Sequence, residues 1–193
     1  MTAGAGEQQQ HRVLQQGLDR SIVLVGLMGV GKTAVGKRLA ADIGLGFVDA
    51  DQEIEAAAGM TIAEIFATHG EPAFRLGERR VIARLIDGPP MVISTGGGAF
   101  VDAETRAVVK ARGVSIWLTA DLDELVRRTA RRNTRPLLQT GDPRTILADL
   151  LARRAPFYAE ADITVASSRG PVEETVARVL TALSIHLETD RHD

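Results

Sequence analysis

No cysteine occurs among the 193 residues, which excludes disulfides, thiolate metal sites and cysteine nucleophiles and is compatible with a reducing cytosol. Nowhere do eighteen apolar residues run together, so no membrane-spanning helix is expected. Met1 to Arg20, rich in Gln, Gly and Ala, lacks the apolar stretch of a signal peptide. Neither sign of charge dominates: 23 Lys and Arg stand against 25 Asp and Glu, which removes any general reason to bind nucleic acid or an anionic membrane. An anion site would have to be local. These absences read as a soluble, cytoplasmic protein.

What is present is a chain 45% hydrophobic, enough for one well-filled core and short for two. Residues 1–20 carry almost no apolar periodicity and are expected to be a disordered extension, with room for a short helix from about Gln8 to Leu18. A single domain is expected over 21–186, with a tail at 187–193. Within it, β-rich runs at Ser21–Gly26, Phe47–Asp49, Met91–Thr95, Val114–Thr119 and Asp162–Val165 alternate with segments of helical spacing. The fold class is therefore α/β: a five-stranded parallel sheet with helices on both faces, three layers deep. Thr61 with Glu64 reads as a capping box, and Pro143 and Pro171 as first-turn prolines. The stretch between the second and third strands is too long for one crossover helix. It suits a helical substrate-binding insertion over about 51–80.

The strand Ser21-Ile-Val-Leu-Val runs directly into Gly26-Leu-Met-Gly-Val-Gly-Lys-Thr33 and then into helical Ala34-Val-Gly-Lys-Arg-Leu-Ala40. Strand, G-x-x-x-x-G-K-T, helix is a phosphate-binding order. Glycines 26, 29 and 31 let backbone N–H groups point inward, and the helix start adds the positive end of its dipole. Gly29, Val30, Gly31, Lys32, Thr33 and Ala34 would thus cradle a triphosphate, with Lys32 bridging its β- and γ-phosphates and the Thr33 hydroxyl on Mg²⁺. A ligand-free turn would need neither Lys-Thr at its end nor three glycines.

A GTPase switch would show D-x-x-G and N-K-x-D, which are missing: the only asparagine, Asn133, precedes Thr-Arg-Pro. A motor ATPase usually ends an apolar strand with an acid, whereas Met91-Val-Ile-Ser94 ends in serine and runs into Gly96-Gly97-Gly98. Asp49 and Asp51 close the second strand, where alternation would put both on one side, beside the ligand crevice of an open sheet. One can hold Mg²⁺ through water and the other can take a hydrogen bond or proton from an attacking hydroxyl. Helix-capping acids are the alternative. The triglycine suits close approach of a polar substrate, or merely a tight turn. Arg75 and Arg154 can clamp a carboxylate, although a lone arginine is more often a surface group. Five arginines fall in the nine residues Arg127–Arg135, ahead of Pro136 and a Gly141-Asp-Pro143 turn. A solvated face or an RNA contact is conceivable, but no aromatic lies between Trp117 and Phe157. A lid over about 131–145, carrying Arg135 onto a triphosphate, fits better.

Taken in order, the phosphate loop, Asp49-Ala-Asp51, Phe74-Arg75 with Glu78, Gly96–Gly98, Arg135-Pro-Leu-Leu138 and Arg154-Ala-Pro-Phe-Tyr158 resemble the shikimate kinase family, from about Ser21 to Leu183. The resemblance implies a P-loop small-molecule kinase acting on ATP and shikimate with Mg²⁺, and site roles follow position by position. Asp49 and Ser94 resemble the residues that reach Mg²⁺ through water, beside Thr33. Asp51 is the expected hydroxyl partner and base. Arg75 and Arg154 would grip the shikimate carboxylate, with Glu78 orienting one of them and Gly97, between Gly96 and Gly98, donating its backbone N–H. Arg128 would stack on adenine beside Arg169 to Pro171, and Arg135 would cover the phosphates. A site complete in one chain implies a monomer. Two departures stand out: Ala34 replaces a common serine or threonine, and Gly77 would loosen the helix of Arg75 by about 1 kcal/mol relative to alanine. A gluconate or nucleoside monophosphate kinase on the same fold is the competing reading, and a regulatory nucleotide-binding protein the third.

Overall fold

A computed structural model describes residues 18–130 and 141–190. Five strands, β1 (Ser21–Val25), β2 (Gly46–Asp49), β3 (Met91–Ser94), β4 (Gly113–Thr119) and β5 (Ile163–Ala166), form one sheet. Its order is β2-β3-β1-β4-β5, and every pairing is parallel. The helices are α1 (Lys32–Ile43), α2 (Ala50–Ala58), α3 (Ile62–Ile86), α4 (Ala103–Arg112), α5 (Leu122–Ala130), α6 (Pro143–Tyr158) and α7 (Val172–Asp190), with a 3₁₀ turn at Ala99–Val101. The expected α/β class and all five strands are found, with ends shifted by a residue or so.

β1 lies at the centre, and all five of its residues are buried. Alternation sends Ile22 and Leu24 to one face, where they join Val35 and Leu39 of α1, Leu125 of α5 and Val179 and Leu183 of α7. Val23 and Val25 point the other way, into a second core with Ile82 of α3, Phe100, Val109 of α4 and Tyr158 of α6. Each such buried aliphatic contributes about 1.5–3 kcal/mol. Both faces are covered, so only the strand ends remain open. β1 also sits where the chain reverses its direction across the sheet, and the crevice opens there, beyond its carboxyl end.

The long crossover after β2 holds α2 and α3. α3 is two helices joined at Gly70, whose φ of 76 and ψ of 173 interrupt the helical path. Pro72 falls in the first turn of the second segment, where its missing N–H costs nothing. The break is therefore at Gly70, and Gly77 lies within regular helix. The Thr61–Glu64 capping box is present in full. Pro143 opens α6, whereas Pro171 stands one residue ahead of α7 and its carbonyl accepts from Glu174 N.

The last helix runs past the expected boundary at 186. α7 continues to Asp190 and buries Leu187, because Leu180, Leu183 and Leu187 recur at the helical interval on the face that meets the core. The Gln8–Leu18 helix, most of the 1–20 extension and the core of the proposed lid, 131–140, lie outside the described residues.

Replacing Thr61 with Ala removes the hydroxyl that accepts from Glu64 N and frees one helix-end donor. Urea unfolding is expected to show a loss of about 1 kcal/mol.

Candidate active site

The phosphate loop is shaped by three left-handed positions: Gly26, Gly29 and Gly31 have φ of 132, 83 and 105, values strained for any other residue. Lys32 then folds back across it. Its ammonium donates to Gly26 O at 2.8 Å and Leu27 O at 3.1 Å, closing the loop on itself. Thr33 Oγ1 donates to Asp49 Oδ2 at 3.0 Å and lies 3.5 Å from Ser94 Oγ. Three strand ends meet here because Asp49 is level with Ser94 across β2 and β3, and Ser94 with Leu24 across β3 and β1. Thr95 ties the end of β3 to β1 through Leu24 O, from both its amide and its hydroxyl.

Asp49 and Asp51 share a side for a reason other than the expected one. β2 ends at Asp49, which caps α2 by accepting from Asp51 N, and Asp51 stands in the first helical turn. The capping alternative is thus realised, and helix geometry replaces strand alternation. Asp51 still faces the crevice. Its Oδ1 lies 2.7 Å from where a Cβ on Gly96 would be, Arg154 Nη1 is 3.3 Å from that position on Gly97, and Arg75 Nη1 and Nη2 are both 2.7 Å from it on Gly98. Three consecutive glycines therefore admit three charged side chains carried by α2, α6 and α3.

Each charged group has its own support. Arg75 donates to Glu78 Oε2 at 2.6 Å and to the exposed Glu71, and packs over Phe74. Glu78 is almost fully buried. Burial pushes its carboxyl above the usual range, nearby Asp51 and Asp102 add to that, and Arg75 opposes it. Arg154 donates to Gly97 O at 2.8 Å. Tyr158 donates to the same carbonyl from a fully buried ring near Trp117, and burial raises its hydroxyl pKa against the pull of Arg154.

A cavity of about 600 Å³ runs along the phosphate loop. Among its walls are Gly29, Gly31, Lys32, Thr33, Ala34, Asp49, Asp51, Ser94, Gly96, Gly97, Arg128 and Arg169. Val30 is buried and contributes its carbonyl to Arg128 instead of a wall. Pro171 does not line the cavity, although its neighbours Gly170 and Val172 do. Gly98 lies beyond this main space, as do Arg75 and Arg154, which border the triglycine. Arg135 lies outside the described residues. Sequence reasoning missed Tyr158 as a support of Gly97, a contact between positions 61 residues apart. It also missed Glu124, whose spacing of three and four residues to Arg127 and Arg128 was a readable sign of helical pairing.

A phosphate loop on the central strand of this parallel sheet, faced by an aspartate and two arginines and lacking a motor's strand-end acid, defines the class: a P-loop kinase of small molecules. Residues 28–184 match the sequence model of a family described as "Shikimate kinase". A shikimate kinase from Paramagnetospirillum magneticum is 57% identical over 174 residues, covering 90% of this chain and 89% of its own. The solved shikimate kinase from Acinetobacter baumannii in complex with shikimate superposes with a TM-score of 0.83 at 37% identity, covering 90% of this chain and 96% of that one. A gluconokinase from Sinorhizobium meliloti has a TM-score of 0.61 at 17% identity, a likeness of fold alone. The chain belongs to the shikimate kinase family.

Gly98→Ala is informative because its new methyl would collide with the mobile end of Arg75 and not with backbone. The thermal midpoint is expected to move by less than about 4 °C, under 1 kcal/mol for a domain of this size. The KM for shikimate should rise about tenfold, read in a coupled ADP-release assay.

Proposed function

We infer that this cleft carries out the reaction of its family: transfer of the γ-phosphoryl group of ATP to the 3-hydroxyl of shikimate, giving shikimate 3-phosphate and ADP on the route to chorismate and the aromatic amino acids. The observation that carries the residue roles is the triglycine turn, where Asp51, Arg154 and Arg75 converge within one substrate's reach of the phosphate loop.

Lys32 would exchange the Gly26 and Leu27 carbonyls for the β- and γ-phosphates, stronger acceptors because they are charged. Thr33, Asp49 and Ser94 offer hard oxygen donors with a single carboxylate. This set suits Mg²⁺, which keeps waters and completes its shell on substrate phosphates. Thr33 would ligate directly, and Asp49 and Ser94 through water. When bound, the ion would neutralise charge between the β- and γ-phosphates.

Asp51 would take a hydrogen bond, or the proton, from the attacking hydroxyl. Arg75 and Arg154 would hold the carboxylate. Exposed Glu71 yields its side of Arg75 while buried Glu78 keeps the guanidinium oriented. The Gly97 N–H would fix a substrate hydroxyl, with Gly96 and Gly98 giving it room. Arg128, Arg169 and the segment reaching Pro171 border the end of the cavity left for adenine. Arg135, on the lid segment 131–145, would add positive charge over the transferring phosphoryl group and exclude water, favouring transfer over hydrolysis. The described parts of the cleft come from one chain, which fits a monomer. No helix among the described residues is long and apolar enough to cross a membrane, and the cytoplasm suits a cysteine-free enzyme of primary metabolism.

The test is ADP and phosphate release from ATP with Mg²⁺ in a shikimate titration, run beside gluconate and AMP. Shikimate should raise ADP formation and yield one shikimate 3-phosphate per ADP. An ATP hydrolysis rate that shikimate leaves unchanged, with no phosphorylated shikimate, would sink the reading. Asp51→Asn should lower kcat by about 10²–10⁴, the usual contribution of a positioned base, with little change in ATP affinity. Arg135→Ala should also depress kcat, through the lost charge on the transferring group; wild-type turnover in either variant removes that residue's role.

A further inference from the structure

Helix α5 packs directly behind the phosphate loop: a Cβ on Gly29 would meet Thr129 Cγ2 at 2.8 Å. From this helix Arg128 reaches two loops at once. Its Nη1 donates to Val30 O at 2.9 Å and to Ser167 Oγ at 3.0 Å, and its Nη2 donates to Ser168 O at 2.5 Å. The first contact orients the phosphate loop. In a trans peptide the C=O of Val30 and the N–H of Gly31 point opposite ways, so holding the carbonyl aims that N–H away from the arginine. The second contact meets a firmly set partner, since Ser168 N donates to Thr175 Oγ1 at 2.9 Å and Gly170 N to Ser168 Oγ at 2.8 Å.

A guanidinium on a long side chain does not hold this pose by itself. The remaining edge of Arg128 is taken by Glu124, whose Oε1 accepts from Nε. With Nε committed, the rigid fork has its two Nη groups directed at the two loops. Glu124 is only 4% exposed and also accepts from Arg127, at 2.9 Å from Nε and 2.5 Å from Nη2. One carboxylate between two guanidiniums leaves a net positive charge beside the cavity. With its edge filled by acceptors, what Arg128 would have left for a purine ring is a flat face.

We propose that Glu124 is a positioning residue for ATP: by fixing the Arg128 fork it clasps the phosphate loop to the loop after β5 and keeps the nucleotide site assembled. This rests on the reading of the cleft as an ATP site. The hydrogen bond from Arg127, joined by Arg128, holds the Glu124 carboxyl at about 2 despite burial. The group is therefore ionised throughout any practical assay range, and the clasp does not switch with pH above about 5.

Glu124→Gln keeps the shape and removes the charge that faces both arginines. The KM for ATP, and the Kd for ADP by calorimetry, should rise about tenfold or more, as expected for loss of a charge-assisted hydrogen bond. The KM for shikimate should stay within twofold. In an Arg128→Ala background the same change should add less than twofold, because its effect passes through Arg128. Glu124→Asp, which keeps the charge but shortens the reach, should fall between the wild type and Gln, and it serves if Gln does not fold. The proposal is overturned by an ATP KM within twofold of wild type in both variants, by equal rises in both KM values, or by full additivity with Arg128→Ala. Calorimetry with ADP reads the clasp even if the wild type fails to phosphorylate shikimate, so the two failures are distinguishable.

Discussion

Everything at the open edge of this molecule depends on the parallel ladders that hold β1 between β3 and β4. Parallel pairing brings successive carboxyl ends to one rim, and register decides which residues stand level there. Leu24, Ser94 and Asp49 lie in one row across β1, β3 and β2. Thr33, the last residue of the phosphate loop and the second of α1, then meets Asp49 and Ser94, which are far from it in sequence. A one-residue slip of β3 would replace Ser94 with Ile93 or Thr95 and turn its side chains to the wrong face.

The rim is crowded, and the crowding explains the glycines. Asp51, Arg154 and Arg75 come from three helices and reach three adjacent backbone positions. Any Cβ there would displace a charged group. α3 brings in Arg75 with Glu78 buried behind it, α6 brings Arg154 with Tyr158 four residues on, and both Arg154 and Tyr158 converge on the Gly97 carbonyl. Arg106 of α4 secures the following 3₁₀ turn by donating to the carbonyls of Phe100 and Val101. The carbonyl of Gly96 accepts from Ala99 N at 3.2 Å, so the N–H of Gly97, opposite it in the same peptide, has a defined direction without a ligand. A prearranged donor of this kind would lose little freedom on meeting an acceptor.

Opposite this turn the phosphate loop is braced in two ways. Lys32 closes it from within and Arg128 holds it from outside. The internal brace is one that a phosphate can take over, because carbonyls are weaker acceptors than phosphate oxygens. The external one bonds to backbone facing away from the cavity and can persist with nucleotide bound. Glu124 contributes by partly neutralising Arg127 and Arg128, which are adjacent on α5 and would otherwise repel each other.

The sequence by itself determined whatever depends on neighbours along the chain. The five strands, the phosphate loop, the Thr61 capping box and the start of α6 at Pro143 are written in local spacing, because a strand alternation, a glycine pattern or a cap needs only a few adjacent residues. Candidate chemistry was legible too, since Lys32, Asp51, Arg75 and Arg154 are unusual in their settings. Only the tertiary structure decided how these meet. It replaced strand alternation at Asp49 and Asp51 with a helix cap, broke α3 at Gly70, carried α7 past 186 and gave Arg128 its two loops. The physical reason is the same in each case. Where a segment ends, where it breaks and which distant loops a side chain joins depend on what packing buries, and that is known only once distant segments have met.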